Sequence, residues 1–167
     1  NVGIKEAKNQ FIILLNPDTI VTKNWQQNLL NHFADEKIGA VGPISNYVAG
    51  LQKMELYVDA KFKNDESIEK AAEYFSNNNK GKSIETKLLI GFCVAVRKKI
   101  LDKLGYLDEK LFLGNDDLEL SWRLRNNGYK LVVATDNFVY HEGQQSFNTK
   151  PKPITEKLVQ ESTDALY

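Results

Sequence analysis

Cysteine is nearly absent from this 167-residue chain: Cys93 stands alone. That excludes an internal disulfide and a multi-cysteine zinc site, and it fits a reducing compartment. Net charge is also lacking, with 22 basic residues set against 22 acidic ones. Such a balance argues against a partner held by electrostatics, nucleic acid above all. No apolar run approaches the ~20 residues that cross a bilayer, so no membrane span is expected. Two histidines are too few to argue a Ser-His-Asp or Cys-His order. Neither GxxxxGK[ST] nor GxGxxG occurs, so the glycines form no phosphate loop. The chain opens at Asn1 without a basic-then-apolar leader, which predicts no signal peptide and a piece of something longer. Cytoplasmic placement follows as an expectation.

What is present is enough for a core. Hydrophobic residues make up 42% and charged ones 26%, and a chain of ~150 residues buries roughly 70% of its unfolded surface. Residues 3–8 read as the end of a helix. Residues 11–15, Phe-Ile-Ile-Leu-Leu, read as a strand buried on both faces in the manner of a parallel α/β sheet. Residues 24–36 form an amphipathic helix with Trp25, Leu29, Leu30 and Phe33 on one face. Residues 38–41 are a short strand ending at Gly42-Pro43. Residues 45–62 have no clean period. Residues 65–75 read as a helix capped by Asp65, and residues 77–82 as a polar, mobile loop.

The second half alternates more plainly. A strand over 88–96 is interrupted at Gly91, and a helix over 98–104 is stopped by Gly105. A helix over 115–127 has Asp116 and Asp117 in its first turn, Arg123 and Arg125 in its last, and Gly128 beyond. Strands are expected over 129–134 and 138–140, then a turn at His141-Glu142-Gly143. Residues 148–153 read as a linker and 155–167 as a loosely attached helix. The class is α/β.

Three polar clusters fall where strands end or helices begin, and open α/β sheets commonly place ligands there. Asp18, in Asn16-Pro17-Asp18, is either a ligand for a hard cation such as Mg²⁺ or Mn²⁺ or the shaper of a proline turn. Asp116 and Asp117 either cap a helix or supply a general base that accepts a proton from an attacking hydroxyl. His141 is either structural or a ligand. His32 reads as ordinary surface or boundary, and Cys93 as a buried, inert thiol.

The segments NVGIKEA, FIILLNPDTIV, GAVGPISN and GFCVAVRKKILDKLGYLDEKLFLGNDDLELSWRLRNNGYKLVVATDNFVYHEGQQSF, in that order and spacing, resemble glycosyltransferase family 2 with the GT-A fold. The resemblance covers residues 1–147 and leaves 148–167 as linker and helical tail. It implies an incomplete GT-A fold, a mixed sheet flanked by helices, with the N-terminal nucleotide-binding half absent. A first strand without those neighbours has an exposed edge, which invites self-association, and this chain alone is expected to bind donor poorly and to be inactive.

The activity implied is hexosyltransferase-like: transfer of a sugar, with inversion, from a nucleotide-sugar donor, UDP-linked by default. The acceptor would be a glycan, as in polysaccharide biosynthesis, a lipid-linked glycan or a protein hydroxyl, reached at the membrane surface in many members. Asp18 falls on the metal position, with Asn16 where the family has its first carboxylate, and His141 falls near the metal and diphosphate. Asp117 takes the place of the general base, Asp116 replaces the usual Glu beside it, and Arg123 follows six residues later. Gly91 and Phe92 correspond to the acceptor side, where a missing Cβ lets a sugar approach the backbone. Asn46 is a further substrate-binding candidate. The rival readings are a non-catalytic glycan-binding or scaffold module and a metal-dependent nucleotide-sugar hydrolase.

Overall fold

The computed structural model describes residues 1–58, 67–111 and 114–143, with 160, 161, 163 and 164 beyond them. A five-stranded mixed sheet organises these residues, in the order β1-β5-β3-β6-β4. Its strands are β1 (Phe11–Leu15), β3 (Ile38–Ile44), β4 (Ser83–Thr86), β5 (Cys93–Arg97) and β6 (Lys130–Phe138). Only β3 and β6 run parallel; β1 and β3 lie antiparallel to β5, and β4 lies antiparallel to β6. Two short strands, β2 (Thr19–Ile20) and β7 (Tyr140–His141), pair separately.

The alternation of strand side chains splits the apolar residues between two faces. Val94, Val96, Leu131 and Val133 meet α3 (Ile68–Asn78), α4 (Lys98–Leu104) and α5 (Asp116–Asn126) through Phe75, Leu101 and Leu124. Cys93, Ala95, Val132 and Ala134 meet Leu29 of α2 (Trp25–Asn31) and Phe33. A short α1 (Val2–Glu6) adds Ile4 to the first cluster. Arg97 is buried with its guanidinium donating to the carbonyls of Phe33, Asp35 and Ile38 and lying over the Phe11 and Phe33 rings.

Several expectations change. β1 lies at the end of the sheet, where the resemblance implies an exposed edge, but it runs antiparallel and not parallel. It is not buried on both faces: of its residues only Ile12 is buried, and Leu15 is 42% exposed. The helix expected over 24–36 stops at Asn31 and continues as a 3-10 turn, His32–Ala34. The helix expected from Asp65 begins at Ile68, with Ser67 Oγ accepting the Lys70 N–H; Asp65 lies outside the described residues. The loop expected over 77–82 is partly α3 and partly anchored, since Gly81 N–H donates to Asp136 Oδ2 at 2.7 Å. β4 forms just after it, where its exposed side chains show no apolar signal. The strand expected over 88–96 begins only at Cys93.

Of the two strands expected over 129–134 and 138–140, the first and Phe138 lie in one longer strand, β6. Tyr140 begins β7 together with His141, which was expected in a turn. A register shift in β6 pairs Pro43 with Ala134 and Ile44 with Phe138. The extra residues Thr135, Asp136 and Asn137 are buried polar anchors to Lys82, His32 and Trp25. His32 is therefore not a surface residue: it is buried, 2.8 Å from Asp136 Oδ1. The linker expected over 148–153 lies outside the described residues, as does most of the tail helix; residues 160, 161, 163 and 164 are helical. No helix among the described residues is long and apolar enough to cross a membrane.

Candidate active site

The pairing directions put the carboxyl ends of β1, β3 and β6 and the amino end of β5 on one edge of the sheet. Asn16, Asn46, Phe92 and His141 each lie within three residues of those ends. The edge is tied together through the backbone. Asn16 N–H donates to the Phe92 carbonyl at 2.8 Å, and Glu142 N–H donates to the Asp18 carbonyl at 2.9 Å. Asn46 grips His141 twice: its Oδ1 accepts the His141 N–H at 2.9 Å and its Nδ2 donates to the His141 carbonyl at 3.1 Å.

The His141 ring is held from three sides. Phe92 stacks on it at 5.1 Å and 18°, and Tyr47 stands edge-on at 6.0 Å. Nδ1 lies 2.8 Å from the Tyr47 carbonyl. A carbonyl oxygen only accepts, so Nδ1 carries a proton, and in the tautomer protonated there alone Nε2 is a lone-pair acceptor. Gly143 follows at φ 75°, and the Tyr47 ring fills the space a Cβ would take there.

His141 Nε2 stands 3.4 Å from Asp18 Oδ1, and both atoms are shut off from solvent without a hydrogen-bond partner. In that tautomer two buried acceptors face one another, which is costly unless something positive lies between them. An imidazole nitrogen and a carboxylate oxygen suit a divalent cation, and a ligating His commonly gives its other N–H to a carbonyl as this one does. The residues present therefore fit a divalent cation. No group of three or more His, Cys, Asp or Glu converges on one point among the described residues, so further ligands would come from a bound diphosphate or water. Asn16, where a carboxylate was expected by resemblance, is exposed and adds no charge.

The second half of the site is the first turn of α5, whose N-cap Asn115 sits in the left-handed region at φ 68°. Asp117 is half-buried; its Oδ2 accepts the Gly91 N–H at 3.1 Å and its Oδ1 the Leu118 N–H at 2.8 Å. Asp116 is pushed above the usual carboxylate range, first by burial and then by the neighbouring Asp117 charge. Asn16, Gly91, Asp116 and Asp117 line one cavity of about 250 Å³ whose other walls are largely aliphatic. A Cβ at Gly91 would make ordinary contact with Asp117 Cβ, 3.4 Å away, so this glycine faces the carboxylate.

The structure does not bring Arg123 to this cavity. Its Nε and one terminal nitrogen grip both Glu119 oxygens at 2.8 Å, and its other donors go to the carbonyls of Leu104, Gly105 and Tyr106. All five N–H groups are engaged in clasping the end of α4 to α5. Sequence reasoning passed over Tyr47, Gln52 and Ser121. Ser121 was open to discovery, since it lies one helical turn beyond Asp117; Tyr47 and Gln52 sit in an aperiodic stretch with no such signal.

Over residues 1–157 the chain matches the family described as "Glycosyltransferase like family 2". It is 24% identical to the chondroitin synthase of Escherichia coli, a match covering all of this chain and 28% of that protein. It is 23% identical to a pre-mycofactocin glycosyltransferase of Mycobacterium tuberculosis, over 85% of this chain and 29% of that one. Among solved structures it superposes on GalNAc-T7 with UDP, GalNAc and Mn²⁺ at a TM-score of 0.59 and 18% identity, over 84% of this chain and 29% of that chain. The chain thus spans less than a third of the length of each.

Proposed function

The chain belongs to glycosyltransferase-like family 2 and has the mixed α/β sheet of the GT-A fold, and from that premise we propose that it carries the metal and base half of an inverting sugar-transfer site. The observation that carries this reading is the pair of solvent-excluded acceptors, His141 Nε2 and Asp18 Oδ1, 3.4 Å apart on the sheet edge that also carries Asn16 and Phe92. In this reading Asp18 and His141 hold Mn²⁺ or Mg²⁺, with Asn46 and Phe92 fixing the imidazole. A cation bound there supplies Lewis-acid stabilisation of the diphosphate of a nucleotide-sugar donor.

Asp117 is the base. One oxygen keeps the Gly91 N–H, and the remaining lone pairs accept the proton of an acceptor hydroxyl as it attacks the anomeric carbon. The bond from the anomeric carbon to the donor diphosphate breaks as the new one forms, and the nucleoside diphosphate leaves with that electron pair. A single displacement of that kind inverts the configuration. Asp116 lies beside it and lines the same cavity, where its carboxylate would accept a hydrogen bond from a sugar hydroxyl. A hexosyl donor linked to UDP and a glycan, lipid-linked or protein acceptor belong to the same proposal, as does a cytoplasmic site at the membrane surface. Pairing of two copies along the outer edge of β1 is a separate expectation, read by sedimentation.

The test is Asp117→Asn in the protein that turns over donor. Transfer falls by about 10²–10⁴-fold, the ordinary contribution of a general base, while UDP with Mn²⁺ still binds. Equal transfer by both forms would overturn the assignment. Donor binding with no transfer to any acceptor would point instead to a non-catalytic glycan-binding module. Donor consumption that acceptors do not increase would point to a hydrolase.

A further inference from the structure

The backbone between β4 and β5 pairs with no strand, yet three consecutive N–H groups in it are each accepted by a side-chain oxygen. Leu89 donates to Ser121 Oγ at 3.2 Å, Ile90 to Gln52 Oε1 at 2.7 Å, and Gly91 to Asp117 Oδ2 at 3.1 Å. The first and third are taken by α5, from two residues one turn apart, and the middle one by Gln52. This explains why the expected strand starts late: its first amides are committed to side chains.

Gln52 is only 1% exposed, and its Nε2 donates to the Pro43 carbonyl of β3 at 3.0 Å. Both halves of its amide are thus engaged. The slot it fills exists because residue 42 has no side chain: a Cβ on Gly42 would lie 2.7 Å from Gln52 Nε2 and 2.9 Å from Leu89 Cδ2.

We infer that Gln52 is a positioning residue for Asp117: it fastens residues 89–91 to the end of β3 and so sets the Gly91 N–H against the Asp117 carboxylate. Its catalytic consequence rests on Asp117 being the base; its geometry does not. With Leu118 N–H on one oxygen and Gly91 N–H on the other, the carboxylate is pinned from two sides. Releasing one side lets it rotate, and a misplacement of about 1 Å in a reacting group costs up to about 10²-fold in rate.

The experiment uses the ¹⁵N-labelled 167-residue chain as wild type, Gln52→Leu and Gln52→Glu, each with and without Asp117→Asn. In the wild type, Asp117→Asn shifts the Gly91 amide resonance. In Gln52→Leu, Gly91 exchanges its amide proton at least about tenfold faster while the β6 amides keep their protection, and its response to Asp117→Asn collapses. Gln52→Glu keeps an acceptor for Ile90 but no donor for Pro43, and falls between; should Gln52→Leu not fold, this variant carries the comparison. Wild-type protection and wild-type response at Gly91 in a folded Gln52 variant overturn the inference. So does a Gly91 resonance that ignores Asp117→Asn in the wild type. None of these readouts needs turnover, so the fate of transfer in Asp117→Asn is judged separately. Where transfer is followed, Gln52→Leu lowers kcat and leaves donor KM in place.

Discussion

His32 with Asp136, and His141 with Asp18, are buried to a similar degree: their side chains are 6 and 10% exposed in the first pair and 12 and 9% in the second. The first closes at 2.8 Å, and the other Asp136 oxygen takes the Gly81 N–H. The second stands at 3.4 Å with no hydrogen bond, and the Nδ1–H of His141 is given to the Tyr47 carbonyl. Burial alone therefore does not separate a pair that the fold completes from the pair proposed to hold a cation. What separates them is whether the fold itself satisfies the hydrogen-bonding capacity it has buried.

The sharpest way to break that comparison is by stability. Asp136→Ala leaves His32 and the Gly81 N–H without their partner and is expected to cost about 3–5 kcal/mol in urea unfolding. Asp18→Ala removes one of two facing acceptors and stays within about 1 kcal/mol of wild type in metal-free buffer. Equal losses would erase the distinction. Ligand linkage comes next. Mn²⁺ with UDP at about 100 times Kd adds about 2.7 kcal/mol and raises Tm by roughly 5–10 °C. Asp18→Ala and His141→Ala abolish that rise, whereas a Gln at His32, if folded, retains it; a rise surviving His141→Ala would remove the imidazole from the site.

A smaller effect belongs to Asp116, whose folded carboxyl holds its proton more tightly than the unfolded one. The penalty for its charge is absent below the unfolded value of ~3.9, grows as pH rises, and is complete above the folded value. Asp116→Asn therefore stabilises the chain at neutral pH, by less than about 1 kcal/mol given the screening of a partly exposed group, and the gain vanishes near pH 3. Paired melts across that range read the sign. Smallest of all is Cys93, which burial pushes up to about 12: the native chain resists alkylation at pH 8, and labelling appears only with unfolding.

Legibility followed periodicity. α4 and α5 were readable to within a residue at each end, because apolar spacing, terminal charges and the stops at Gly105 and Gly128 all agree. β4 was not: its Ser-Ile-Glu-Thr side chains are largely exposed, and its strand character comes from pairing with β6. β6 was divided at Thr135, Asp136 and Asn137, which break the apolar run; each is polar for a partner far along the chain. In the site, Asp18, Asp117 and His141 were legible as motif positions. Their supports were not, since a buried Gln52 in an aperiodic stretch differs from a solvated one only by what surrounds it.

Local sequence was sufficient for the α/β class, because alternating strands and helices depend on neighbours within a turn or a strand. The family rested on a resemblance carried by the order and spacing of several motifs along the chain. Tertiary structure decided that β1 and β3 lie antiparallel to β5, and it decided the contrast between two histidines of similar burial. It also decided that Arg123 clasps α4 while Gln52 and Ser121 brace the backbone beside Asp117. Those outcomes turn on which donor meets which acceptor across tens of residues, and a hydrogen bond is set by distance and angle, not by separation along the chain.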